Sequence, residues 1–228
     1  MNAHKISSYK DYHSVLENDP EEYKKLFSTI TIKVSEFFRE PEVFDLLKEQ
    51  LTACPVSPDE GIRAWSCGCA HGEEAYSLGM ILLESFDARG TDNVRIFATD
   101  VDEGAIEIAR KGVYSCESLK KVSDQARDKF FIKSDGNYKV RYSIRDMVSF
   151  GRLDIVNSTP ISGIDILLCR NLLIYFEKEL QRRVLDKLDF ALNPGGLLVL
   201  GKSEGLPSHL ASRYKEVGER SRVYRKAS

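Results

Sequence analysis

The sequence predicts an open α/β fold: a doubly wound, mostly parallel sheet with an antiparallel C-terminal edge hairpin and a small inserted antiparallel β-subdomain. Three observations carry this. Residues 62–77, IRAWSCGCAHGEEAYS, read as a buried strand, a short glycine-containing turn and the start of a helix. Apolar runs at 94–99 and 164–169 then alternate with amphipathic helical stretches, the pattern of parallel strands covered on both faces. Polar residues stand directly after these runs, Asp100 after one and Arg170 with Asn171 after the other, at the edge where such sheets bind ligands.

At 228 residues the chain can bury a full core without disulfides. Its five cysteines, Cys54, Cys67, Cys69, Cys116 and Cys169, are odd in number and no signal peptide precedes them, so free thiols in a reducing cytoplasm are expected. Cys67 and Cys69 form only a C-x-C, with no second Cys or His pair at zinc-ligand spacing; small buried residues beside a turn are expected there, and no metal site. Lys and Arg number 33 against 35 Asp and Glu, a formal net charge of -2 that provides no basic field for nucleic acid. No apolar run approaches the roughly 20 residues of a membrane span, so no membrane insertion is expected.

In chain order, residues 1–27 are polar and mixed in charge, with a break at Asn18-Asp19-Pro20; two short helices are the expected content. An apolar run at 30–34 leads into Ser35-Glu36-Phe37-Phe38-Arg39-Glu40-Pro41, with helix starts near Ser35 and at Pro41. Adjacent Phe37 and Phe38 would point about 100° apart on a helix and anchor it on a core. An amphipathic helix over 42–51 and a loop over 54–61 with two prolines follow. A reduced N-terminal helical segment and linker is therefore expected over residues 1–55, ahead of a main domain over 56–228.

In the main domain the turn at 68–72 leaves backbone N–H groups at a helix start facing a ligand. The strand at 94–99 ends in Asp100, whose carboxylate can accept from both hydroxyls of a cis-diol; capping the helix over 103–110 is its other possible role. From Gly112 the rhythm breaks. A helix over 119–131 and short strands at 130–133, 137–142 and 144–150, with a turn at Ser134-Asp135-Gly136-Asn137, predict the antiparallel insertion at about 113–150. Replacing a simple connection, it is placed for substrate or partner binding. The strand at 164–169 restores the rhythm, and the helix over 177–192 ends at Asn193-Pro194-Gly195-Gly196. A strand at 197–200 and the edge hairpin of 214–217 with 222–224 complete the sheet.

This order resembles the class I S-adenosylmethionine-dependent methyltransferases, although by itself it separates poorly from nicotinamide-binding folds. The fingerprint G-x-G-x-x-G is absent: Gly68 and Gly72 stand four apart, which suits a nucleoside sulfonium that brings no pyrophosphate. Five blocks narrow the match: Ser35-Glu36-Phe37-Phe38-Arg39-Glu40; Trp65-Ser66-Cys67-Gly68-Cys69 with Gly72-Glu73-Glu74-Ala75-Tyr76-Ser77; Ala98-Thr99-Asp100-Val101-Asp102; Cys169-Arg170-Asn171-Leu172-Leu173-Ile174-Tyr175-Phe176; and Gly195-Gly196 through Leu200-Gly201-Lys202-Ser203-Glu204. Together they resemble the chemotaxis receptor glutamate methyltransferases of the CheR type, over about residues 28–226.

The resemblance implies methyl transfer from S-adenosylmethionine to glutamate side chains of methyl-accepting chemotaxis receptors, with S-adenosylhomocysteine as product and the receptor's cytoplasmic helical domain as partner. A glutamate side chain with a pKa of about 4.3 is already an anion at neutral pH, so no general base is required. In-line positioning, exclusion of water and a cation to orient the carboxylate are what the reaction needs. The implied catalytic set is Arg39 and Arg170, each able to hold a carboxylate through paired planar donors, and Tyr175, whose hydroxyl would lie near the methyl. The implied cofactor contacts are Ser35, Arg39, Glu74, Asp100, Asp154, Ile155, Asn171 and Leu172, with Glu74 at the methionine amino end and Asp100 at the ribose. Taken singly, Glu73 or Glu74 could merely favour the helix N-terminus, and Arg170 could be a surface charge.

The chain also departs from the family pattern. Lys33 replaces a usual Asn, Ala70-His71 replace a usual Ser-Thr, and the first block begins as early as Ser35, so the helical surface that faces the receptor is expected to be reduced. Some relatives tether a receptor tail peptide through a glycine-rich loop of the β-subdomain; residues 134–138 hold one glycine, Gly136, so tethering is not expected. Methylation of another protein or a small carboxylate, and a non-catalytic S-adenosylmethionine-sensing module, are the alternatives.

Overall fold

In a computed structural model that describes residues 8–19, 22, 26, 35–53, 61–86 and 93–228, contacts divide the chain into two units, Met1–Val34 and Ser35–Ser228. In the first, α1 (Tyr9–Asn18) is N-capped by Ser8, whose side chain accepts from the Lys10 N–H at 3.2 Å. The predicted second helix of the segment, the apolar run at 30–34 with Lys33, and the loop with Cys54 lie outside the described residues.

The second unit opens with α2 (Pro41–Ala53), followed by β1 (Ile62–Cys67), α3 (Glu73–Ser85), β2 (Val94–Asp100) and α4 (Glu103–Lys111). Next come β3 (Val113–Ser115), α5 (Asp124–Phe130), β4 (Phe131–Ser134), β5 (Asn137–Val140) and the short α6 (Tyr142–Arg145). The chain then returns through β6 (Val148–Arg152), β7 (Ile164–Cys169), α7 (Lys178–Ala191), β8 (Leu192–Leu200), α8 (Ser208–Ala211), β9 (Tyr214–Glu216) and β10 (Val223–Lys226). The large sheet has the order β6-β2-β1-β7-β8-β10-β9, with its first five strands parallel and β10 antiparallel to both neighbours. The fold class read from the sequence is the one observed.

The central strand β1 shows why both faces must be covered. Ala64 faces one apolar cluster, with Ile96, Leu78 and Phe44, while Trp65 faces the other, with Leu167, Val184 and Leu188. Helix α3 is buried on nearly all sides, from Ala75 and Tyr76 to Leu82. It can sit so close because Gly72, at φ 93°, precedes it: a Cβ there would lie 2.8 Å from the Ala109 Cβ and 3.1 Å from the Phe150 ring.

Five details differ from the sequence expectation. Residues 35–40 form a turn, with Phe38 and Glu40 at φ 51° and 59°, and the helix begins only at Pro41, where a missing N–H costs nothing. Phe37 is nevertheless a core anchor, edge-on to Tyr114 and Phe131. Because α2 buries Val43, Phe44, Leu47 and Leu51, it belongs to the second unit, which starts at Ser35 rather than near residue 56. The helix expected over 119–131 is a 3-10 turn (Glu117–Leu119) and then α5, whose start is fixed by the Ser123 cap on the Ala126 N–H.

The insertion is also smaller than predicted. Its sheet is β3-β5-β4, whereas residues 144–150 split into the end of α6 and most of β6, which joins the large sheet parallel to β2. Ile144 is buried against Gly79 of α3, and Val148 pairs with Ile96, so the apolar spacing served two elements and not one strand. Finally, β8 begins at Leu192 and runs through Pro194-Gly195, with a register shift that carries the pairing from Ile164↔Leu192 to Ile166↔Leu197.

Candidate active site at the carboxyl edge of the sheet

The turn after β1 is fixed by β2. The N–H groups of Gly68 and Cys69 donate to the Thr99 carbonyl at 2.8 and 3.0 Å, and Trp65 Nε1 donates to Thr99 Oγ1 at 2.9 Å. The Ala70 N–H then donates to Asp100 Oδ2 at 2.9 Å, while the Asp102 N–H donates to Asp100 Oδ1 at 3.0 Å. Helix α4 is capped by Asp102, which accepts from the Ala105 N–H at 3.0 Å, so capping is not the task of Asp100. Each Asp100 oxygen accepts one backbone N–H and, as a carboxylate oxygen, has capacity for a further donor. Leu172 lies over the turn: a Cβ on Gly68 would meet its Cδ2 at 3.1 Å.

A second cluster gathers the first and fourth sequence blocks. Glu74 accepts from Ser66 Oγ at 2.7 Å and from Arg170 Nη1 at 3.2 Å. Arg170 Nη2 donates to Glu40 Oε2 at 2.8 Å and to the Arg39 carbonyl at 2.7 Å. With its side chain only 1% exposed, Arg170 is no surface charge. Its two terminal nitrogens are already taken by protein groups, a constraint the sequence could not reveal. Burial raises the Glu74 carboxyl pKa, and Arg170, Ser66 and Arg39 oppose that rise. Burial also raises Glu73 to about 7, opposed by backbone hydrogen bonding and by the Ser35 hydroxyl. The segment 35–40 is held to α3 by the Phe38 N–H, which donates to Ser77 Oγ at 3.0 Å.

Asp154 and Ile155 follow β6, next to the end of β2, where the Leu153 N–H donates to the Asp100 carbonyl at 2.9 Å. Asp154 accepts from the Val156 N–H and from Asn157 Nδ2, and Ile155 is buried. Asn171 adopts φ 57°, and Tyr175, 44% exposed, stands at the rim on a 3-10 turn (Leu173–Tyr175). The structure thus joins Ser35, Arg39, Glu74 and Arg170 in one cluster and brings Asp100, Asp154 and Ile155 to neighbouring strand ends. Asn171, Leu172 and Tyr175 come from the loop that follows β7. His71 is half-buried, and its carbonyl accepts from Tyr114 OH at 2.7 Å. Among the described residues no group of His, Cys, Asp and Glu can hold a metal ion, and no helix is long and apolar enough to cross a membrane.

Several structural residues carry no role in the sequence reading. Glu204 accepts from four backbone N–H groups of two loops, Gln181 donates to two carbonyls of the loop after β7, and Lys187 Nζ donates to the carbonyls of Ile155, Val156 and Ser158. Glu204 had two signals: it closes the fifth sequence block, and it stands just past an apolar strand, at the ligand edge of the sheet. Gln181 and Lys187 are polar residues on an amphipathic helix and carry no mark of their own.

A central strand leading through a glycine turn into a buried helix, an acidic neighbouring strand end and a seven-stranded sheet with one antiparallel insertion define a class I methyltransferase fold. The chain belongs to the family described as CheR methyltransferase, SAM binding domain, which matches residues 33–223, and its cofactor is S-adenosylmethionine. It is 33% identical over 207 residues to chemotaxis protein methyltransferase 2 of Vibrio cholerae, covering 87% of this chain and 72% of that protein. It is 31% identical over 224 residues to chemotaxis protein methyltransferase 2 of Pseudomonas aeruginosa, covering 94% and 78%. A 104.1 kDa protein of Rhodobacter capsulatus is 33% identical over 210 residues; the match covers 90% of this chain but 22% of that protein.

Proposed function

We propose that this protein transfers the methyl group of S-adenosylmethionine to glutamate side chains of methyl-accepting chemotaxis receptors, forming γ-methyl esters. The observation that carries this reading is the convergence of the Arg39–Glu74–Arg170 cluster, Asp100 and Tyr175 at one sheet edge, together with relatives named chemotaxis protein methyltransferase. When bound, S-adenosylmethionine supplies an electrophilic methyl on a good leaving group. Asp100 would hold the ribose hydroxyls and Glu74 the methionine ammonium, with Ser35, Asp154, Ile155, Asn171 and Leu172 completing the walls. Arg170, which donates to Glu40, Glu74 and the Arg39 carbonyl, holds the first block against the cofactor site, and Arg39 and Arg170 are the cations that orient the acceptor carboxylate. Tyr175 would contribute its hydroxyl to the orientation of the transferring group, and desolvation of an already ionised acceptor would provide the rest. The receptor's cytoplasmic helical region is the partner, and the protein acts in the cytoplasm.

The test is transfer of labelled methyl to receptor cytoplasmic fragments. Label released as methanol by mild base supports the ester, and base-stable label refutes it.

A further inference from the structure

We propose that Glu204 and Gln181 are positioning residues that clamp the loop after β7 from opposite sides and thereby fix Tyr175; this rests on the functional reading above. The loop leaves the sheet at Arg170 and must turn sharply, with Asn171 in the left-handed region at φ 57°. A turn of this kind exposes its own N–H groups, since no strand or full helix follows to accept them. Glu204 accepts them. Its Oε2 takes the Asn171 N–H at 3.0 Å and the Gly201 N–H at 2.7 Å, and its Oε1 takes the Leu173 and Ile174 N–H groups at 2.7 and 3.3 Å.

The close approach depends on Gly201, where a Cβ would lie 2.7 Å from Glu204 Oε2 and 2.9 Å from the Asn171 nitrogen. From the other side Gln181 Nε2, in the first turns of α7, donates to the carbonyls of Leu173 at 3.0 Å and Phe176 at 2.9 Å. The Tyr175 and Phe176 N–H groups close on Leu172 and Leu173 at 3.2 and 3.0 Å. The half-exposed ring of Tyr175 is therefore carried on a backbone that is hydrogen-bonded on both sides before any ligand arrives. A carboxylate suits the first position because it only accepts, and an amide suits the second because it can donate twice. The two clamps act on different parts of the loop: Glu204 reaches back to Asn171 at the cofactor, whereas Gln181 touches only the segment around Tyr175.

The experiment compares Glu204→Gln and Gln181→Met, each alone and combined with Tyr175→Phe. In Glu204→Gln the new NH2 confronts backbone donors, so amide exchange of the loop accelerates about tenfold or more, and both kcat and KM for S-adenosylmethionine worsen. Gln181→Met keeps length and helix propensity and is expected to lower kcat by about fivefold with KM within about twofold. Added to Tyr175→Phe, neither variant lowers kcat by its full factor again, because Gln181→Met acts wholly and Glu204→Gln partly through that side chain. Unchanged exchange in both variants, or losses that multiply with Tyr175→Phe, overturns the proposal. If the unaltered protein transfers no methyl, the functional reading fails and loop exchange alone decides the clamp. Should Glu204→Gln not fold, Gln181→Met decides it.

Discussion

At the scale of single residues, Glu73 and Glu74 show how two adjacent carboxyls can diverge. Glu74 faces Arg170 and Ser66, whereas Glu73 is 4% exposed with its Oε2 unpartnered, and burial lifts its pKa to about 7. Between its ordinary pKa of 4.5 and about 7, the folded protein keeps a proton that the unfolded chain has lost. Stability therefore falls as pH rises through that window, and the full penalty applies above it. Glu73→Gln removes the penalty: at pH 8 its Tm is expected to exceed that of the unaltered protein by about 3 °C or more, with the gain disappearing below pH 4.5. Thermal melts across that range check this, and a gain independent of pH refutes it.

Two further variants separate roles at the same scale. Tyr175→Phe is expected to lower kcat by about tenfold or more with little change in affinity for S-adenosylhomocysteine, whereas Asp100→Ala weakens that affinity by about tenfold or more. Parallel kinetics and calorimetry read both numbers, and equal losses in each variant count against the assignment. The residue types of this site were legible because a strand followed at once by Asp, Arg or Asn stands out in a sequence. What was not legible is engagement: nothing in the order Cys169-Arg170-Asn171 says that Arg170 would be buried between Glu40 and Glu74.

Elements with long, uniform patterns were read correctly. β1, β2, β7 and α7 fell within one or two residues of expectation, because continuous apolar runs and a 3.6-residue period survive any tertiary context. The insertion was misjudged because its strands are three or four residues long, too short for a period to show, and because Ile144 and Val148 serve different elements. The turn before α3 was legible as a turn, but its steric reason was not. Gly72→Ala forces a Cβ against Ala109 and Phe150 at a positive φ, so it is expected to cost roughly 2–5 kcal/mol. Urea unfolding measures this, and a loss below about 1 kcal/mol would mean that α3 and α4 are free to move apart.

For the whole molecule, the site is assembled from segments around residues 35–40, 66–74, 100, 154, 170–175 and 204, so only the folded second unit can offer it. A ligand bound there stabilises the entire unit. S-adenosylhomocysteine at 100 times its Kd is expected to add about 2.7 kcal/mol, which is about 5–10 °C in Tm; at the same concentration the shift should fall to about half or less in Asp100→Ala. An undiminished shift in that variant would place the ligand elsewhere.

The same sheet also has a border to defend. Strand β9, at one side of it, is three residues long, and two of the three, Lys215 and Glu216, are exposed charges. An incoming strand from another molecule would find few free backbone groups to pair with and would have to accommodate both charges in doing so. The short, charged β9 thus discourages strand addition at that border of the sheet, so that encounters with other molecules are steered away from it and towards the carboxyl edge.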